Sequence, residues 1–239
     1  MRLLIILLTL VSVSAVAECN VSPLKATYSI NEYNSEGQLA KQYPLILWRQ
    51  GNQVAHQYPS TRITEIWNLT GNGSLHLERF FDAYHRGIEY QPGEIKAVTG
   101  KSGWELKNQL VSNQLLESME LVKTDLSGCD QIDSFASDSK EHINLQWLNN
   151  RKLIKRFEIQ AGAERKVWKL ERLETDKQQI EQFFTDRADY KTTDYADIGD
   201  NESDPFLLKM INLGFVEHGS SGFYDANGQP LEGGHAHHH

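Results

Sequence analysis

Between Ala26 and Tyr90, apolar and polar residues alternate in short runs, each closed by a corner rich in Gly, Asn or Ser. Tyr28 and Ile30 alternate with Thr27, Ser29 and Asn31 until Ser35-Glu36-Gly37-Gln38 interrupts them. Tyr43, Leu45 and Leu47, with their neighbours Ile46 and Trp48, form a second run that Gln50-Gly51-Asn52 ends. Ile63, Trp67 and Leu69 lead into Thr70-Gly71-Asn72-Gly73, and Leu75, Leu77 and Phe81 follow with His76 and Glu78 between them. A period of two bounded by such corners predicts antiparallel hairpins.

The pattern returns later in the chain. Ile143-Asn144-Leu145-Gln146-Trp147 alternates, Asn149-Asn150 makes a tight turn, and Leu153, Lys155, Phe157 and Ile159 answer it before Gly162. Val167 to Leu173 adds a third run, with Trp168, Leu170 and Arg172 on one face. Trp104 to Met119 predicts a helix, broken near Asn113, that covers one side of the sheet. The polar stretch Asp125 to Lys140 predicts a loop. Thr175 with Gln178 forms a capping box ahead of Ile180, Phe183 and Phe184. Asp204 caps, Pro205 opens and Gly214 ends a helix over Phe206 to Leu213, docked by Phe206, Met210 and Leu213. Between Arg79 and Tyr90 the polar set Arg79, His85, Arg86 and Glu89 predicts a solvated strand face with cross-strand charge pairs.

The fold class is therefore mainly β (α+β), an antiparallel meander forming a curved sheet or incomplete barrel with a few covering helices. Its expected divisions are a signal peptide over 1–17, a β domain with its covering helix over 18–190, an acidic loop and short helix over 191–214, and a flexible His-rich tail over 215–239.

Charge and leader change the picture more than composition does. A net charge of −8 and a pI near 5.6 argue against a nucleic-acid partner, which calls for clustered Lys and Arg. Arg2, the apolar run Leu3 to Val13 and Ala15-Val16-Ala17 form a cleavable export signal too short to span a bilayer. The mature chain is then soluble and periplasmic or secreted, without a transmembrane segment. Its 2 cysteines, Cys19 and Cys129, predict one disulfide in an oxidising compartment.

A signal peptide, a strand meander with a covering helix, and Asn149-Asn150-Arg151-Lys152-Leu153 leading into two charged strands resemble the periplasmic lipoprotein-carrier superfamily (LolA/LolB-like proteins and their sensor relatives). The likeness covers residues 26–175 and rests on pattern, without a fixed motif. It implies an incomplete antiparallel barrel wrapped around helices, whose concave apolar face takes acyl chains or an extended partner. The chain departs from that family in its longer C-terminus and its cysteine pattern, and no ligand-binding residue is carried over.

Two function classes follow. The first is a non-catalytic binding protein for a lipid, a lipoprotein or an envelope-protein partner. Trp48, Trp67, Trp147 and Trp168 all lie in predicted strands and are the candidate ligand face. The second is a metal-handling envelope protein. His235, His237, His238 and His239 could chelate Ni²⁺, Cu²⁺ or Zn²⁺ with help from His218 or from the acidic run Asp186 to Asp204. The tail reads as natural, its alternative being an expression tag, and the acidic run lacks the order of an EF-hand loop. No catalytic residue is assigned, because no nucleophile, base and oxyanion site assemble, and His218-Gly219-Ser220 is not a nucleophile elbow.

Overall fold

The computed structural model describes residues 22–95, 100–128, 130–138, 141–198 and 203–212. Residues 1–17, both cysteines, His218 and the histidines of 235–239 lie outside the described residues.

Twelve strands form one sheet. They are β1 (Leu24–Tyr33), β2 (Leu39–Gln50), β3 (Gln53–Tyr58), β4 (Ile63–Leu69), β5 (Leu75–Phe81), β6 (Arg86–Tyr90), β7 (Glu120–Ser127), β8 (Asp130–Asp138), β9 (His142–Leu148), β10 (Leu153–Ala161), β11 (Glu164–Glu174) and β12 (Lys191–Asp194). The order across the sheet is β12-β6-β5-β4-β3-β2-β1-β11-β10-β9-β8-β7. Two meanders, β1 to β6 and β7 to β11, are thus joined where β1 pairs antiparallel with β11. Among the described residues the one parallel pairing is β12 on β6, so the start of the expected acidic loop is a strand.

Alternation builds the core. Leu24, Ala26, Tyr28 and Ile30 of β1 are buried, while the residues between them are only partly so. The middle of β4 is different, since Ile63 to Trp67 are all buried. Both of its faces are covered.

The helices α1 (Gly100–Gln109), α2 (Asn113–Ser118) and α4 (Pro205–Asn212) cover one face. Their Leu106, Leu115, Phe206, Leu207 and Met210 join the main core with Leu45, Trp67, Leu77 and Trp147. The break expected near Asn113 is present. Leu110 adopts a left-handed φ of 67°, and the Ser112 side chain accepts a hydrogen bond from the Leu115 N–H at 3.1 Å to start α2. On the opposite face, α3 (Lys177–Ala188) packs Ile180, Phe183 and Phe184 against Trp48, Ala55, Ile66 and Phe80. Trp48 stacks on Phe183 with ring centroids 3.8 Å apart. Gly87 is required by close approach, since a Cβ there would lie 2.9 Å from the Phe80 ring and 3.0 Å from Thr192.

Four sequence expectations are corrected here. The loop expected over Asp125 to Lys140 is mostly the hairpin of β7 and β8. Every residue of β7 is exposed, so no buried face imposes alternation on it. Arg79 lies on no solvated face and is only 3 % exposed. The cap of α3 is Asp176, whose carboxylate accepts the Gln179 N–H at 3.1 Å, one position beyond the expected box. The described acidic residues are not an open loop either, while Asp200 and Glu202 lie outside the described residues. Asp194 caps the 3₁₀ turn Tyr195–Asp197, and Asp204 caps α4 while pairing with Arg86 at 2.9 Å. Pro205 opens α4 as expected.

Candidate binding cleft

The four tryptophans do not share one open face. Trp67, Trp147 and Trp168 lie in the main core, 2–3 % exposed, whereas Trp48 lies on the opposite face under α3. What the sheet presents beneath α1 is instead a buried polar layer. The Arg79 guanidinium of β5 donates to Glu65 of β4 through Nε at 3.1 Å and Nη2 at 2.7 Å, and both residues are almost fully buried. Burial alone would lower the Arg79 pKa, but the charges of Glu65 and Tyr90 outweigh it and raise it. Lys107 of α1 lies 4.0 Å over the Trp67 ring. Burial depresses its pKa to about 8, against the attraction of Glu65.

This layer pins the end of α1. His56 Nε2 stands 2.7 Å from the Lys107 carbonyl. Arg49 donates to the carbonyls of Asn108 at 2.6 Å, Arg151 at 2.7 Å and Lys152 at 2.5 Å, joining α1 to the β9–β10 turn. Desolvation lowers Arg49 to about 10. These carbonyls lie at the end of an α-helix and in a hairpin turn, and without Arg49 they would lose these donors in a partly buried setting.

Burial, and next the charge of Lys107, push the His56 pKa down to about 3. Its folded value is thus below the unfolded 6.5. Between the two, the unfolded chain binds a proton that the folded chain refuses. Stability from this group is complete above pH 6.5 and is lost as pH falls toward 3, at up to about 1.4 kcal/mol per unit. Replacing His56 with Gln, which keeps an N–H donor, is expected to flatten this acid limb in urea unfolding measured from about pH 7 to about pH 4. An unchanged limb would assign the acid sensitivity to other groups.

An open cleft of about 280 Å³ lies beside α3, between Gln53, Glu78 and Glu181, and a second open cleft lies on the second meander. This second cleft, of about 270 Å³, is lined by Ser127, Asp130, Ile132, Leu148, Lys155, Leu170, Glu171, Arg172 and Leu173. Ser127 and Asp130 flank the β7–β8 turn, whereas Arg172 and Leu173 belong to β11 and pair with Thr27 and Ala26 of β1. By strand order β7 and β11 are four positions apart, so the sheet curls enough to bring them to one cleft. Ile132, Leu148, Leu170 and Leu173 supply an apolar lining. The two carboxylates are already engaged: Asp130 accepts from Arg151 at 2.6 Å, and Glu171 from Ser29 at 2.7 Å and Lys169 at 3.2 Å. Lys155 and Arg172 have no ion-pair partner among the described residues. The free charge of the cleft is cationic.

The turn beside the cleft is held by Asp133, which accepts from Thr124 at 2.8 Å, Gln131 at 2.9 Å and Asn149 at 2.6 Å. Desolvation would raise its pKa, and these hydrogen bonds together lower it instead. Sequence reasoning found neither the cleft nor the buried layer. Among the described residues no group of three or more His, Cys, Asp or Glu side chains could hold a metal ion, and no helix is long and apolar enough to cross a membrane.

No protein-family model matches the chain, and no curated protein matches it in sequence. Solved structures with a similar arrangement include PNGF-II, with a TM-score of 0.39 and 9 % identity over 72 % of this chain and 31 % of that one. They also include MucB in complex with MucA(peri), with a TM-score of 0.31 and 13 % identity over 67 % of this chain and 53 % of that one. A putative outer membrane lipoprotein-sorting protein domain from Vibrio parahaemolyticus has a TM-score of 0.30 and 6 % identity over 70 % of this chain and 92 % of that one. The chain spans about a third of PNGF-II and about half of MucB. At such low scores none of these likenesses assigns a family or a function.

Proposed function

We propose that this is an exported, non-catalytic binding protein whose site is the cleft between the β7–β8 turn and the end of β11, and whose ligand is an acyl chain of a lipid or lipoprotein. The observation that carries this reading is the pairing of four aliphatic side chains with two cations, Lys155 and Arg172, that no carboxylate among the described residues neutralises. An acyl chain ending in an anionic group complements both parts. At about 270 Å³ the cleft suits one chain segment rather than a whole lipid. The tryptophans serve in this reading as core, Trp67, Trp147 and Trp168 on the face that α1, α2 and α4 cover and Trp48 under α3.

Titration with a medium-chain fatty acid tests it. Binding to the folded state should raise the melting temperature by a free energy of RT ln(1 + [L]/Kd), about 2.7 kcal/mol at a hundredfold excess over Kd. The double variant Lys155→Glu/Arg172→Glu should abolish the rise while leaving the unliganded melting temperature nearly unchanged, because both side chains are exposed. A flat titration with fatty acids and a positive one with an apolar peptide would replace the lipid by a protein segment. A rise that survives the double variant would move the site away from this cleft.

A further inference from the structure

The outer edge of β7 has no strand beside it among the described residues, and all eight of its residues are exposed. Such an edge offers unpaired backbone N–H and C=O groups to any extended chain. It also carries three large exposed hydrophobic residues: Leu121 at 54 %, Val122 at 64 % and Leu126 at 83 %. Single exposed apolar residues are ordinary, but three on one free edge strand are the pattern that soluble sheets avoid.

The order of its side chains says what fits. Around Thr124 the strand reads Val122-Lys123-Thr124-Asp125-Leu126. Turned antiparallel about Thr124, this sequence sets Lys123 opposite Asp125 and Val122 opposite Leu126, and a two-fold axis makes each contact twice. Alternation puts Lys123 and Asp125 on one face, where they already pair within the strand at 2.8 Å, and Val122, Thr124 and Leu126 on the other. Neighbouring registers lose this match. Centred on Asp125, for example, Lys123 would face Ser127.

We propose that β7 pairs antiparallel with β7 of a second copy of this chain, on a two-fold axis at Thr124. Lys123 is what selects that occupant. A generic apolar strand would set hydrocarbon against the Lys123–Asp125 pair, whereas the second copy presents a complementary Asp125 and Lys123 to it. The bulge at Val122 limits regular pairing to the part of the strand around and beyond Lys123. An edge of this length buries less than the roughly 1,200 Å² of a stable interface, so association is weak and depends on concentration. It also weakens with salt, because its ion pairs are exposed.

Sedimentation velocity of the exported chain, from micromolar to roughly 1 mM, tests this. The wild type should shift reversibly from monomer toward dimer, with no covalent dimer on a non-reducing denaturing gel. Lys123→Asp and Asp125→Lys should each remain monomeric, since each sets like charges opposite one another twice. Mixed in equal amounts, the two variants should again form dimers, because the carboxylates of one variant then face the ammonium groups of the other at both contacts. The side chains of Lys123 and Asp125 are about half exposed or more, so both variants should keep the wild-type melting temperature and sheet spectrum. A wild type that stays monomeric throughout would overturn the proposal. So would variants that associate like the wild type, or a mixture that stays monomeric.

Discussion

Arg79→Met is expected to lower the unfolding free energy by about 3–5 kcal/mol, among the largest effects open to a single substitution in this chain. The reason is the carboxylate it leaves behind. Glu65 and Arg79 are each about 3 % exposed, and their side chains meet at 2.7 Å in register on adjacent strands. Without the guanidinium, a buried carboxylate must either stay charged in a poor medium or take up a proton at neutral pH. Lys107 is the nearby cation that could answer it in part, at the cost of leaving the Trp67 ring. The double variant Glu65→Gln/Arg79→Met removes both charges and should recover much of the loss, since a buried ion pair contributes little net stability over a neutral pair of similar size. Urea unfolding of wild type, single and double variants gives the coupling directly. A single variant within about 1 kcal/mol of wild type would mean that water reaches the pair.

That pair was legible in the sequence by parity alone. Glu65 stands two positions from Ile63 and two from Trp67, both core residues, and Arg79 stands likewise between Leu77 and Phe81. Each must therefore point to the core face, and the hairpin register then sets them opposite each other. The same parity separates Trp48 from the other tryptophans. Leu45 and Leu47 are in phase with the main core, so Trp48, one position further, faces the other side and needed α3 to cover it. The alternating strands were equally legible, as was the helix break, which Ser112 makes through its cap. Less could be read from β7 and β8. Apolar residues occur there without period because one strand is exposed throughout, and Asp133 holds a buried position through hydrogen bonds rather than hydrophobicity. The cleft was illegible for another reason. It arises from the curl of the whole sheet, which brings residues of β7 and β11 together, and no local pattern encodes that distance.

The curl bears on the cysteines. Cys129 lies between Ser127 and Asp130, and those two residues line the cleft with Leu173, whose partner in β1 is Ala26. In a flat sheet, β1 and β7 would stand five strand spacings apart, roughly 24 Å. Cys19 stands seven positions before Ala26, and an extended chain of seven steps reaches about 23–25 Å at most. Flat, the sheet would put that span at the limit of reach; curled, it brings the β7–β8 turn to the cleft that Leu173, the partner of Ala26, also lines. A Cys19–Cys129 disulfide would then tie the free end of the second meander to the start of the first, closing a loop of about a hundred residues. For such a loop, chain entropy gives roughly 4–5 kcal/mol, less any native strain. Chain produced in an oxidising compartment should therefore show no reactive thiol when titrated in denaturant without reductant. Added reductant should lower the midpoint of urea unfolding with little change in slope, and the double variant Cys19→Ser/Cys129→Ser should reproduce the reduced protein. Because such a tie would hold one wall of the cleft, reduction should also weaken any fatty-acid stabilisation measured at the same site. Two reactive thiols per chain in the untreated protein would refute the bridge and leave the curl of the sheet to β-pairing, the apolar core and polar contacts such as Asp130–Arg151.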